Sequence, residues 1–140
     1  MLQKVVPVFG VLALLFAVYL TSKVIRQEEG TDKMKEIAEA ISDGAKAFLT
    51  AEYKILVFFV LILFVLIGFG IGNWITAVCF IAGALFSTLA GYWGMQVATK
   101  ANVRTANAAR VSGMNKALSI AFSGGAVMGM CVAGLGVLGV

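Results

Sequence analysis

Only seven side chains in this sequence could hold a hard cation or serve as a carboxylate base, and all seven lie between Glu28 and Glu52. Carboxylates do such chemistry when several converge on one point. These do not: Glu36, Glu39 and Asp43 are interleaved with Lys35 and Lys46, the pattern of a solvated helix face. There is no histidine, and Cys79 and Cys131 each sit inside an apolar run without a second ligand nearby. A metal centre or structural disulfide is therefore not expected, and both cysteines read as small packing residues. Four cations, Lys100, Arg104, Arg110 and Lys116, occupy a stretch that contains no acid. They could attract a phosphate-like anion, but composition favours an anchor for the flanking apolar segments. No Gly-x-x-x-x-Gly-Lys-Ser/Thr loop is present to cradle a nucleotide. The residues themselves nominate no catalytic, substrate-binding or metal-binding side chain.

The elements that would position these groups are apolar. Hydrophobic residues make up 61% of the 140 and charged residues 13%, with a mean hydropathy of +0.98. That is too apolar for a domain facing water on most sides, so a lipid bilayer is the expected surrounding. The net charge of +4 does not indicate a nucleic-acid partner, because the bases outside the acidic stretch flank hydrophobic segments.

The fold class expected is all-α integral membrane, with four transmembrane helices at about 5–24, 55–71, 74–98 and 117–140. Each is near the roughly 20 residues a helix needs to cross the hydrocarbon core. A run such as Ile55-Leu56-Val57-Phe58-Phe59-Val60-Leu61 lacks the alternation of a barrel strand. The first run follows Lys4 as a signal peptide would, but no cleavage site with a soluble domain follows, so it reads as a retained span.

The two basic connections, 25–54 and 99–116, are predicted to be cytoplasmic and the N-terminus outside, since the link at Gly70, Gly72 and Asn73 carries no charge. The first connection is predicted to contain a helix over about 31–54, starting at Thr31 and Asp32. Met34, Ile37, Ala38, Ile41, Ala45, Phe48 and Leu49 recur on one face at three- and four-residue spacing. Nothing separates it from the second span, which predicts a continuous rod of about 41 residues. Its polar face is mixed in sign, where a lipid-surface helix is usually lysine-rich, so docking against protein is expected.

Small residues form two ridges: Gly83, Ser87, Gly91, Gly94 and Ala98 in the third span, and Ala117, Ala121, Gly125, Gly129 and Ala133 in the fourth. Such ridges mark close helix packing. No Asp, Glu, Lys or Arg lies in the interior of any of the four apolar runs, so these helices by themselves should carry no ion and read as scaffold. The run Gly134 to Val140 lacks the polar flank or aromatic anchor that normally closes a span, which points to a larger protein.

Two stretches resemble a known family. Ile41-Ser42-Asp43-Gly44-Ala45-Lys46-Ala47-Phe48-Leu49-Thr50-Ala51-Glu52-Tyr53 resembles the signature I-x-x-G-A-x-A-F-L-x-x-x-Y of membrane-bound, ion-pumping inorganic pyrophosphatases. The segment Gly94 to Ala106 is similar to that family's G-M-x-x-A-T-x-A-N-x-R-T, and Ala121 to Gly129 to its A-F-x-x-G-A-V-M-G. The resemblance implies the N-terminal part of a sixteen-helix, homodimeric pump that hydrolyses pyrophosphate and exports H+ or Na+. In such a pump these helices would be outer-ring scaffold beside the remaining helices. Mg2+ and, in some members, K+ would be required by the whole pump and bound by later aspartates, none by this segment, which alone should be inactive.

Lys100 and Arg104 match motif positions, for which the resemblance implies no more than positioning. The form Ala98-Thr99-Lys100-Ala101-Asn102 resembles potassium-stimulated members. The short stretch before the first span implies the cell membrane of a bacterium or archaeon. The competing reading is a complete four-span protein that works without catalysis, as a small subunit or assembly factor.

Overall fold

The computed structural model describes residues 2–139, with side chains from Val5 onward. It is four helices: α1 (Leu2–Ile25), α2 (Asp32–Gly70), α3 (Trp74–Val111) and α4 (Met114–Gly139). All four are long and apolar enough to cross a membrane. The connections are short, so successive helices run in opposite directions.

Helix α2 begins where the sequence places it. Thr31 caps it, its hydroxyl accepting from the Met34 amide at 3.4 Å, and Asp32 adds an acid to the first turn. The rod of 39 residues is about 58 Å long at 1.5 Å per residue, far more than a bilayer core requires. Its amphipathic half meets α3 only in part. Leu49 is buried, and Tyr53 donates to the Thr88 carbonyl at 3.1 Å. Ile37 and Phe48 remain more than half exposed.

Helix α3 departs from expectation. The residues from 99 onward, read as a polar connection, continue the helix to Val111. The reason is local: no glycine or proline occurs between Met95 and Ser112, and the stretch is rich in alanine, with Arg104 and Arg110 also good helix formers. Gly113 ends it, with a φ of +88° that side chains rarely adopt, and α4 starts one residue later.

Helices α1, α3 and α4 enclose the core, in which Ala17, Leu20, Ala90, Val97, Val127 and Cys131 are buried. Among the described residues α2 contacts α3 alone, whereas α1 packs on α4 and touches α3. At the α1–α4 crossing the backbones nearly meet: a Cβ on Gly10 would lie 2.9 Å from the Gly134 carbonyl oxygen.

The buried face of α4 is Ala117, Ile120, Ser123, Gly124, Val127, Cys131 and Gly134. Except for Ala117, the ridge read from sequence, Ala121, Gly125, Gly129 and Ala133, points outward. Helix α4 carries two small-residue faces, and the one that lets Gly124 sit against the Ala101 methyl and Gly134 against Gly10 is the one used. In α3, Gly94 is buried against Met128, while Gly83 and Ser87 are exposed.

Candidate functional site

Polar chemistry concentrates at one end of the bundle, where α3 runs past the end of α1 and turns into α4. A helix leaves its last four carbonyls without helical partners. At the end of α1 each finds one. The Arg26 amide donates to Ser22 O and the Gln27 amide to Val24 O. The Gln27 side chain donates to Lys23 O at 3.3 Å. Ile25 O is reached by Arg104 of α3, whose Nη2 donates at 3.3 Å.

Arg104 does more than cap. Its Nε donates to Gln27 O at 3.0 Å, its Nη1 to Lys100 O at 2.8 Å, and its Nη2 forms an ion pair with Glu29 at 2.8 Å. The residue is only 6% exposed. A buried guanidinium persists when paired and hydrogen-bonded, and its planar fork suits several fixed acceptors. Three residues on, Asn107 is buried beside it, donating to Glu28 O at 3.3 Å and accepting from Arg110 at 3.1 Å. Gly30 closes the arrangement: its φ is +95°, and a Cβ there would lie 2.7 Å from the Asn107 Oδ1. Glycine is required on both counts. Together these groups form a latch from α3 onto the segment joining α1 to α2.

The four cations of the stretch read as an anchor, with anion attraction as its alternative, do not act as one group. Arg104 is internal, Lys100 and Arg110 are exposed on α3, and Lys116 is exposed near the start of α4. The acids are dispersed: Asp32, Glu36 and Asp43 pair with lysines three residues away on exposed surface, contacts worth little singly. Among the described residues no three acids or cysteines come together in a way that could hold a metal ion, so the donor set does not fit the Mg2+ of the implied pump. Cys79 and Cys131 are both free thiols. The sequence picked out Arg104 but missed Asn107 and Gly30. The available signal was a glycine before a helix cap and an amide one turn beyond a matched arginine.

The segment from Gly94 to Ala106, which carries Arg104, coincides with the part of α3 that reaches the latch. Sequence comparison gives the family: the model described as inorganic H+ pyrophosphatase matches residues 11–140. The chain belongs to that family. A Clostridium tetani protein named as a K+-stimulated pyrophosphate-energized sodium pump is 59% identical over 121 residues, covering 86% of this chain and 18% of its own length. The K+-insensitive pyrophosphate-energized proton pump 2 of Moorella thermoacetica is 48% identical, covering 99% of this chain and 20% of its own length. The K+-stimulated pyrophosphate-energized sodium pump of Thermotoga maritima is 44% identical, covering 91% and 18%. The chain thus spans about a fifth of the length of the curated relatives it matches. Their names divide over both the pumped ion and K+, so likeness in this segment does not select either property.

Proposed function

We propose that this chain is the N-terminal scaffold of a pump that couples pyrophosphate hydrolysis to H+ or Na+ transport across a bacterial or archaeal cell membrane. In this reading the N-terminus faces outward, and residues 25–54 and 99–116 lie on the cytoplasmic side. The four helices pack against the remaining helices of a homodimeric pump, whose Mg2+, K+ and pyrophosphate are held outside this segment. No residue of this chain is assigned to catalysis, substrate or metal. The observation that carries the reading is the family match over a segment that amounts to a fifth of its relatives. The outward ridge of Ala121, Gly125, Gly129 and Ala133 supports it, since such a surface fits another helix better than lipid.

The test has two arms. Membranes carrying residues 1–140 alone should show no Mg2+-dependent pyrophosphate hydrolysis above background. In the full-length protein, Glu36→Gln, Glu39→Gln and Asp43→Asn should each leave hydrolysis within about twofold, as all three acids are exposed and the pairs of Glu36 and Asp43 contribute little. Activity from residues 1–140 alone, or a hundredfold loss from one of those acids, would overturn the scaffold assignment.

A further inference from the structure

A cavity of about 310 Å³ opens beside the latch, between the end of α1, the end of α3 and the start of α4. Its lining brings together cations from three parts of the chain: Arg26 just past the end of α1, Arg104 on α3 and Lys116 in the first turn of α4. Arg104 is committed to Glu29. Arg26 and Lys116 have no carboxylate within 4.0 Å among the described residues, since the four ion pairs there use other cations. Glu28 also lines the cavity and offsets one of the two charges. Arg110, bound through Asn107 to the same latch, lies next to it and adds another. The balance is positive.

Position along the helices distinguishes this cavity from an ordinary basic surface. Arg26 directly follows the apolar stretch Val5–Ile25, and Lys116 opens the apolar helix Met114–Gly139. Cations at such places sit at the depth of lipid headgroups. The lining combines polar groups, Ser112 and Gln27, with apolar ones, Val111 and Ile120. A phosphate on the cations with its hydrocarbon running down beside the helices satisfies both. A soluble anion would use only the first. Arg104 also retains one N–H of its five without an acceptor among the described residues, as its hydrogen bonds engage four.

We propose that this cavity binds the phosphate of an anionic membrane lipid, held chiefly by Arg26 and Lys116. Basic pockets between membrane helices take anionic headgroups in this way, with each nearby cation worth about a fivefold gain. The ligand chemistry is a phosphate mono-anion, and the source assigned is the bilayer.

The full-length protein would be purified in detergent and titrated with phosphatidylglycerol or phosphatidylcholine of the same acyl chains. Bound lipid would be counted by native mass spectrometry. Phosphatidylglycerol should bind in preference to phosphatidylcholine, and R26Q/K116Q should weaken it roughly 25-fold. K54Q, which removes another unpaired cation on α2, should change it less than twofold, and R26K/K116R should restore it. Rescue by the charge-conserving variant separates lost charge from lost folding. Equal retention of phosphatidylglycerol by R26Q/K116Q would overturn the proposal, as would equal binding of phosphatidylcholine. Displacement of the lipid by millimolar phosphate or pyrophosphate, with the same mutational sensitivity, would assign the site to a soluble anion instead.

Discussion

Replacing Arg104 by methionine keeps much of the side-chain volume and removes every bond the guanidinium makes to the α1–α2 connection. Two of those bonds, to Ile25 O and Gln27 O, join a charged donor to carbonyls in a part-buried setting. Such bonds contribute about 1.5 kcal/mol each at the low end of their range. The Glu29 pair adds little, because the Glu29 side chain is 42% exposed and can return to water. The latch should therefore weaken by about 3 kcal/mol, which corresponds to local opening on the order of a hundred times more often.

The amides of Arg26 and Gln27, which bond to Ser22 O and Val24 O, report that opening directly. Hydrogen exchange in the full-length protein should accelerate at these two amides by roughly a hundredfold in Arg104→Met. Arg104→Lys should recover only a fraction, since an ammonium cannot reach acceptors on both sides of a planar fork. Glu29→Gln should accelerate exchange by less than about fivefold. Exchange within threefold of the parent in a folded Arg104→Met protein would refute the latch, as would a Glu29→Gln effect as large as that of Arg104→Met.

Gly30→Ala forces a residue with a Cβ to a φ of +95° and into Asn107; it should cost at least about 1–2 kcal/mol, seen as a lower melting temperature and faster exchange at the same two amides. Gly44→Ala is the contrasting control, since that Cβ would meet nothing within 4 Å in the middle of α2; it should stabilise by about 0.5–1 kcal/mol in the same melt. Gly134→Val should separate α1 from α4, because a Cβ there already lies 3.0 Å from Gly10 O; engineered cysteines across the crossing would then cross-link several-fold less. A Cβ added at Gly129 would meet nothing within 4 Å among the described residues, so a loss of assembled full-length protein on gel filtration for Gly129→Leu would indicate that other helices cover the outer ridge, and no loss would indicate lipid there.

Much of the fold is legible because its signals are one-dimensional. Apolar runs of membrane length, the Thr31 cap and the unbroken passage from Lys46 into Ile55 are all properties of consecutive residues, and α2 forms accordingly. The extension of α3 to Val111 was hidden because its polarity resembles a loop, although its alanine content and lack of glycine or proline are helical. The choice between two small-residue faces on α4 depends on which neighbour arrives, and the strict four-residue spacing of Ala121, Gly125, Gly129 and Ala133 pointed to the outer one. The latch was legible only as a matched arginine. Its acceptors are backbone carbonyls at Ile25 and Gln27, which carry no side-chain identity that a sequence could display.

The crossing of α1 with α4 also bears on the order of assembly. Helix α1 has no contact with α2 among the described residues, and its fastenings are Arg104 at one end and Gly134 at the other. Those residues are made roughly 80 to 120 positions after the helix they hold. Helix α1 therefore reaches the membrane before its fastenings are made, and waits as a lone apolar rod while α2 and α3 form their hairpin. Any competitor for its surface, whether a lipid, a chaperone or a second nascent chain, has that interval in which to act.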